Sequence, residues 1–261
     1  MNLFEVDFYA HTLGSAAHVQ VLLPAADPAS LAAQGPARVY GAAPKAWPTL
    51  FLLHGMQGDE TAWLRHSCVE RYAAQAGVAV VLPALGNSFG FDLRYGLAYE
   101  RYLSEELPAF LQASLPLDLA PGRPCVAGLS MGGFTALRLA LRQPGRYAAA
   151  GSFSGALDPC ELVQKRGEAA AAGAVEAPPE HLGQLAAAAR QAGAALPAMY
   201  LACGLQDEIC LGMNRRVRAQ LQSAGCAVRY EEWAGGHEWA FWDTALQRFL
   251  RWRQGAPDPL A

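Results

Sequence analysis

Residues 124–142, PCVAGLSMGGFTALRLALR, decide the fold of this chain. The first of them are apolar and typical of a short buried strand, and the second half carries the apolar spacing of a helix. Between the two lies a G-x-S-x-G sequence with Ser130 at its centre. A strand, a tight turn and a helix in this order predict a nucleophile elbow. We expect a strained backbone at Ser130, and Gly128, Gly132 and Gly133 leave room for so sharp a turn.

Strand-like and helix-like segments alternate along the rest of the chain. This alternation predicts an α/β fold, with a mostly parallel, doubly wound sheet of about eight strands and helices on both faces. We expect one domain, 1–261, with a surface loop at 25–48 and a variable helical segment at 159–197 that covers part of the sheet. The further strands are expected at residues 2–11, 18–24, 49–53, 78–82, 147–153, 198–203 and 228–233, the first two as an antiparallel edge pair, and the further helices at 60–76, 99–115, 213–224 and 238–253.

The bulk composition excludes several classes of protein. The formal net charge is −3, which gives no electrostatic footprint for nucleic acid or an anionic membrane surface. No window holds 18 unbroken apolar residues, and the N-terminus is typical of a strand rather than of a signal peptide. The six cysteines match no zinc-site or CxxC spacing. We therefore expect no metal, no membrane association and a reduced, cytoplasmic setting.

A serine hydroxyl becomes a nucleophile only with a base within hydrogen-bond reach and an acid that orients the base. The order Ser130, Asp207, His237 is the chain order of these three groups in α/β-hydrolases. Each follows a predicted strand, and reactive side chains gather at the carboxyl edge of such a sheet. We predict His237, in a Gly-Gly loop, as the base and Asp207 as the acid, with Glu208 and Asp158 as alternative acids.

The oxyanion formed on attack needs preorganised hydrogen-bond donors. One is predicted to be the backbone N–H of Met131, the residue after the nucleophile. The second is predicted to be the backbone N–H of Met56, in the turn after the 49–53 strand. We expect His54 to support that turn rather than to catalyse. The remaining histidines, His11, His18, His66 and His181, are expected away from this edge.

The substrate pocket is predicted from the turns and aromatic segments that begin at, or loop over, the same edge. For Trp63 and Trp239 the alternative is a place in the hydrophobic core. With no long apolar lid in the sequence, we expect a small acyl pocket. The predicted substrate-binding residues are Gln57, Trp63, Phe89, Leu205 and Trp239.

Several segments together resemble the esterase D/tributyrin esterase family of the α/β-hydrolases, which includes S-formylglutathione hydrolases and feruloyl and acetyl esterases. They are FEVDFYAHTLG, LFLLHGMQGDETAWLRHSCVERYA, AGLSMGGFTALRLAL and GGHEWAFWDTALQRFLRW. The resemblance implies hydrolysis of small, short-chain carboxylic esters by Ser130, Asp207 and His237 without a cofactor, in cytoplasmic homodimers or homotetramers. The alternatives are an S-formylglutathione hydrolase-type thioesterase, a cinnamoyl or feruloyl esterase, an acyltransferase and a catalytically silent binding protein.

Overall fold

A nine-stranded sheet runs through the computed structural model, which describes residues 1–42, 46–93, 96–166 and 181–255. The strands are β1 (Asn2–Ala10), β2 (Ser15–Leu23), β3 (Trp47–Leu53), β4 (Ala79–Pro83), β5 (Leu117–Asp118), β6 (Cys125–Leu129), β7 (Ala149–Phe153), β8 (Ala198–Gly204) and β9 (Val228–Trp233). Their spatial order is β1-β2-β4-β3-β6-β7-β8-β9, and the two-residue β5 pairs with the start of β3.

The sheet has an antiparallel part at one edge and a parallel part that makes up the rest. β1, β2 and β4 pair antiparallel, and every pair from β4 across to β9 is parallel. β3, β4, β6 and β7 are almost continuously apolar because helices cover both of their faces. The predicted edge hairpin and mostly parallel sheet are confirmed, with one more short strand than the eight expected.

Helices cover the two faces of the sheet and form two apolar cores. They are α1 (Pro28–Gln34), α2 (Pro36–Gly41), α3 (Ala62–His66), α4 (Val69–Ala76), α5 (Tyr99–Arg101), α6 (Leu107–Ser114), α7 (Met131–Arg142), α8 (Pro159–Arg166), α9 (Leu182–Gln191), α10 (Leu211–Ser223) and α11 (Trp239–Arg253). A π-helical turn, Tyr102–Glu106, joins α5 to α6. One core lies under α3, α4 and α11, and the other under α6, α7, α9 and α10. This arrangement is the α/β-hydrolase fold. Each helix within the described ranges is too short or too polar to cross a lipid bilayer.

The surface loop predicted at 25–48 is instead largely helical, because α1 and α2 occupy most of it and β3 begins at Trp47. Asp27 accepts the backbone N–H of Ser30 at 2.9 Å, and Pro28 follows it at the first helical position. Both are helix-start signals. Residues 43–45 lie outside the described ranges.

The helix predicted at 60–76 is two helices, since α3 ends at His66 and α4 begins at Val69. Ser67 is extended, and its hydroxyl bonds back to the carbonyl of Trp63 at 2.6 Å. Asp243, in α11, accepts the backbone N–H of Cys68 at 2.7 Å. This bond satisfies a backbone donor at the break and fixes the start of α4.

The segment predicted to be helical at 159–197 contains α8 and α9, and β8 follows at Ala198. Its residues 167–180 lie outside the described ranges. Asp158 accepts the backbone N–H of Glu161 at 3.1 Å, so its carboxylate begins α8. α8 lies beside the carboxyl edge of the sheet, where the candidate site is found.

Candidate active site

Ser130 lies at the turn between β6 and α7, where the backbone reverses sharply. Its φ of 49° and ψ of −116° fall in a region that non-glycine residues rarely occupy. Two glycines allow this turn because neighbouring backbone lies so close to their Cα atoms that there is no room for a side chain. A Cβ on Gly128 would lie 2.5 Å from the carbonyl oxygen of Gly132, and one on Gly132 would lie 2.5 Å from that of Leu53. The strained elbow expected from the sequence is therefore present.

His237 connects Ser130 to Asp207 across the carboxyl edge of the sheet. Its Nε2 lies 3.0 Å from the Ser130 hydroxyl oxygen, and its Nδ1 lies 2.8 Å from Asp207 Oδ2. Asp207 follows β8 and His237 follows β9, so two neighbouring parallel strands present the acid and the base. When Nδ1–H donates to the carboxylate, Nε2 can accept the serine proton. The three side chains predicted from chain order thus form one hydrogen-bonded chain.

Asp207 is buried, with 1% of its surface exposed, yet it is held as a carboxylate. Burial alone would raise its pKa, but the hydrogen bond and charge of His237 and the backbone N–H of Cys210 outweigh burial and lower the pKa. Oδ1 accepts from the N–H groups of Ile209 at 3.2 Å and Cys210 at 2.9 Å. The carboxylate is therefore oriented from both sides.

The two alternative acids do not contact His237 in this arrangement. Asp158 caps the start of α8 through the backbone N–H of Glu161, and Glu208 is exposed to solvent. Among the described residues, Asp207 is the acid whose carboxylate meets the His237 ring.

The two predicted oxyanion donors belong to segments that lie next to Ser130. Met131 is the first residue of α7, so its N–H points out of the positive end of a twelve-residue helix. The loop that carries Met56 passes close to the nucleophile, since a Cβ on Gly55 would lie 3.4 Å from the Ser130 Cβ. Among the hydrogen bonds of the described residues, the N–H groups of Met56 and Met131 have no protein acceptor. Both are available to a bound oxyanion.

His54 holds the Met56 loop, as expected. It is buried, its Nε2 accepts the N–H of Leu85 at 2.9 Å, and its Nδ1 lies 2.7 Å from the carbonyl oxygen of Gly55. Burial lowers the pKa of His54, so the ring stays neutral and suits one donor and one acceptor. Its two nitrogens are engaged in fixing the loop backbone.

A cavity of about 430 Å³ opens beside Ser130 and His237. Its size is within the usual range for small-molecule sites. Two of the five predicted substrate-binding residues, Gln57 and Trp239, line it. The other lining residues are Gly55, Met56, Gly58, Ala62, Arg65, His66, Leu129, Leu162, Ile209 and Trp242.

Three predicted pocket residues are not in the described lining of this cavity. Trp63 is fully buried, and its indole N–H donates to the carbonyl of Leu53 at 3.1 Å, so it supports Trp239 from behind rather than meeting substrate. Phe89 is buried against Phe134 of α7. Leu205 is 44% exposed just beyond β8. The structure does not bring these three side chains into the described lining, because aromatic or loop position alone does not give side-chain direction.

Sequence reasoning missed a polar wall of the cavity. His66, expected away from this edge, lines it and stacks on Trp239 with ring centroids 4.9 Å apart. Arg65 also lines it and pairs with Asp59 at 3.1 Å. The helical spacing of Ala62, Arg65 and His66 on one face is the signal that could have found them.

One group of side chains has the composition of a metal site. Ligand atoms of Asp207, Cys210 and His237 lie within 4.8 Å of one another. Two of these atoms already form the His237–Asp207 hydrogen bond, which accounts for their closeness. The sequence predicts no metal here, and the hydrogen-bonded pair explains the geometry without one.

A sheet of this topology with a strained serine at its elbow defines the class as α/β-hydrolases. A family model described as "Putative esterase" matches residues 11–252, and the chain belongs to this esterase family. It is a serine esterase, a carboxylic ester hydrolase.

Individual relatives agree with this assignment. An acetyl esterase of Caldicellulosiruptor saccharolyticus is 28% identical over 225 residues, which cover 80% of this chain and 84% of that protein. A fluorophosphonate-binding serine hydrolase of Staphylococcus aureus has a TM-score of 0.84 at 25% identity, covering 96% of this chain and 97% of that one. An S-formylglutathione hydrolase of the same organism has a TM-score of 0.80 at 25% identity, covering 97% and 99%.

Proposed function

We propose that this esterase hydrolyses short-chain carboxylic esters through an acyl-enzyme on Ser130, with His237 as base and Asp207 as its orienting acid. The observation that carries this proposal is the continuous hydrogen-bonded chain from the Ser130 hydroxyl through both nitrogens of His237 to Asp207. The similarity to an acetyl esterase supports a small acyl group.

The first half of the reaction forms the acyl-enzyme. His237 Nε2 takes the Ser130 proton as Oγ attacks the ester carbonyl carbon, and the carbonyl oxygen becomes an oxyanion held by the N–H groups of Met56 and Met131. The imidazolium, stabilised by the Asp207 carboxylate, then gives its proton to the departing alkoxide. The alcohol leaves and the acyl group stays on Ser130.

The second half repeats these roles with water. His237 removes a proton from a water molecule while the water oxygen attacks the acyl-enzyme. His237 then returns a proton to Ser130 as the carboxylic acid leaves. No step calls for a group beyond the protein and water. The same steps would hydrolyse a thioester, whose leaving group is a thiol. The alternative function as an S-formylglutathione hydrolase-type thioesterase therefore uses the same residues.

The acyl preference is expected to follow the size of the cavity. Apolar side chains of Leu162, Ile209, Trp239 and Trp242 form part of its wall. Each buried CH₂ contributes about 0.8 kcal/mol until the cavity is full, and overpacking then costs about 1–3 kcal/mol. We expect kcat/KM for p-nitrophenyl esters to peak between acetate and butyrate and to fall steeply by octanoate.

The acyl series at a fixed leaving group is the test, with a thioester and a feruloyl ester assayed beside it. Trp239→Ala, which widens the cavity, should move the optimum to longer acyl chains, and Leu205→Ala, outside the described lining, should leave it unchanged. A wild-type optimum at octanoate or beyond would contradict the small acyl pocket. A strong preference for the thioester or the aromatic ester would move the assignment to that class.

A further inference from the structure

Ser154, one residue beyond β7, combines a strained backbone conformation with a buried hydroxyl group. Its φ is 46°, a conformation that side chains other than glycine rarely adopt. Its side chain is fully buried, and the hydroxyl oxygen has no partner of good hydrogen-bond geometry within the described part of the chain. Strained residues of this kind persist where the surrounding structure holds them, and they cluster at functional sites.

The contacts of Ser154 place it near Asp207, the acid that orients His237. Its backbone N–H donates to the carbonyl of Ala202 in β8 at 2.7 Å, which fixes it beside the strand that precedes Asp207. The neighbouring Cys203 thiol lies 3.9 Å from Asp207 Oδ2, the oxygen that meets His237. Burial raises the pKa of Cys203, so this group is a thiol. The Ser154 hydroxyl lies beside both groups. Burial acts to raise the pKa of Asp207, whereas His237 and Cys210 act to lower it, and the Ser154 hydroxyl adds a smaller effect in the lowering direction.

We propose that Ser154 is a positioning residue that donates its hydroxyl hydrogen bond to the Asp207 carboxylate as His237 becomes an imidazolium. Hydrogen bonds in resting active sites are often poorly aligned and tighten only as the transition state forms. A buried hydroxyl without a well-aligned partner, held beside the carboxylate by a strained backbone, fits this behaviour. The Ser154 proton stays on its oxygen throughout, so the group acts only through Asp207.

This inference rests on the proposed function, and its test separates the hydroxyl from the backbone strain. Ser154→Ala removes the hydroxyl and keeps the strain, whereas Ser154→Gly removes both. We expect kcat to fall about tenfold in both variants, the effect of losing one hydrogen bond to a charged group, with KM unchanged. The Gly variant should unfold at a higher temperature than the Ala variant. Ser152→Ala is the matched control. Ser152, in β7, is also a buried hydroxyl without a hydrogen-bond partner among the described residues, but it lies against Gly133 and Gly155.

A double-mutant cycle decides whether Ser154 acts through Asp207. In an Asp207→Asn background, Ser154→Ala should cause no further loss of kcat on an activated ester. A kcat within twofold of wild type in both single variants, or a tenfold loss that persists in the Asp207→Asn background, would overturn the inference. Ser130→Ala, assayed in parallel, reports separately on the proposed function, because wild-type activity there would overturn that proposal whatever Ser154 does.

Discussion

At the scale of single residues, the proposed reaction requires one tautomer of His237 for Ser130 to lose its proton. The Nδ1–H must face Asp207 so that Nε2 has a lone pair directed at the serine, and the 2.8 Å and 3.0 Å contacts fit that tautomer. The lowered pKa of Asp207 keeps the carboxylate ionised at neutral pH. In the proposed mechanism, the charge of this carboxylate stabilises the imidazolium that forms in each half of the reaction.

Replacing the acid by its amide tests this arrangement. Asp207→Asn preserves the shape of the side chain but favours the wrong tautomer of His237, so we expect kcat to fall by about 10⁴ with the fold retained. Asp158→Asn is the matched control, since Asp158 caps α8 and does not meet the imidazole. Steady-state kinetics of the two variants measure kcat. A large loss in Asp158→Asn with little loss in Asp207→Asn would mean that another acid orients the base.

At the scale of elements, one carboxylate joins the π-helical turn to the β1–β2 hairpin. Glu106 accepts the backbone N–H groups of His11 at 2.6 Å and Thr12 at 2.7 Å, and it also accepts the Thr12 hydroxyl. Burial acts to raise the pKa of Glu106, but these hydrogen bonds outweigh it and lower the pKa. Glu106 therefore stabilises the fold above the pKa of an unfolded glutamate, and this contribution disappears as pH falls through its lower folded pKa.

This linkage predicts a pH-dependent difference in stability. Glu106→Gln should lower the free energy of unfolding by about 1–2 kcal/mol at pH 7, because a neutral amide is a weaker acceptor for the same donors. The gap should narrow as pH falls through the lowered folded pKa of Glu106, because the wild-type side chain then becomes protonated as well. Thermal unfolding of wild type and variant at several pH values from 7 to 3 measures this difference in stability. Glu105→Gln is the control, because Glu105 is exposed. A gap that does not change with pH would rule out the carboxylate charge as its cause.

The same scale shows why some boundaries could not be predicted from the sequence. The break between α3 and α4 depends on Asp243, 175 residues away, which accepts the N–H of Cys68. No local pattern around Ser67 contains that partner. By contrast, α1 begins with the Asp27-Pro28 pair, a local signal that predicts a helix start where the composition suggested a loop.

At the scale of the whole molecule, the sheet explains how much of the site the sequence could predict. Ser130, Asp207 and His237 each follow a strand of the parallel part of the sheet, and parallel strands bring their carboxyl ends to one edge, so chain order is enough to place them together. The cavity wall depends instead on the rotation of each helix about its axis. Trp63 therefore turns into the core, while Arg65 and His66 of the same helix face the cavity.

The site as a whole rests on Ser130 as the nucleophile, and an active-site phosphonylating reagent tests this most directly. The enzyme is treated with a fluorophosphonate and the modified residue is located by peptide mass spectrometry, while residual esterase activity is followed in the same samples. We expect one phosphonyl group per chain, on Ser130, with activity lost in proportion to labelling and no labelling of Ser130→Ala. A label on another serine, or full activity after Ser130 is completely modified, would contradict the account.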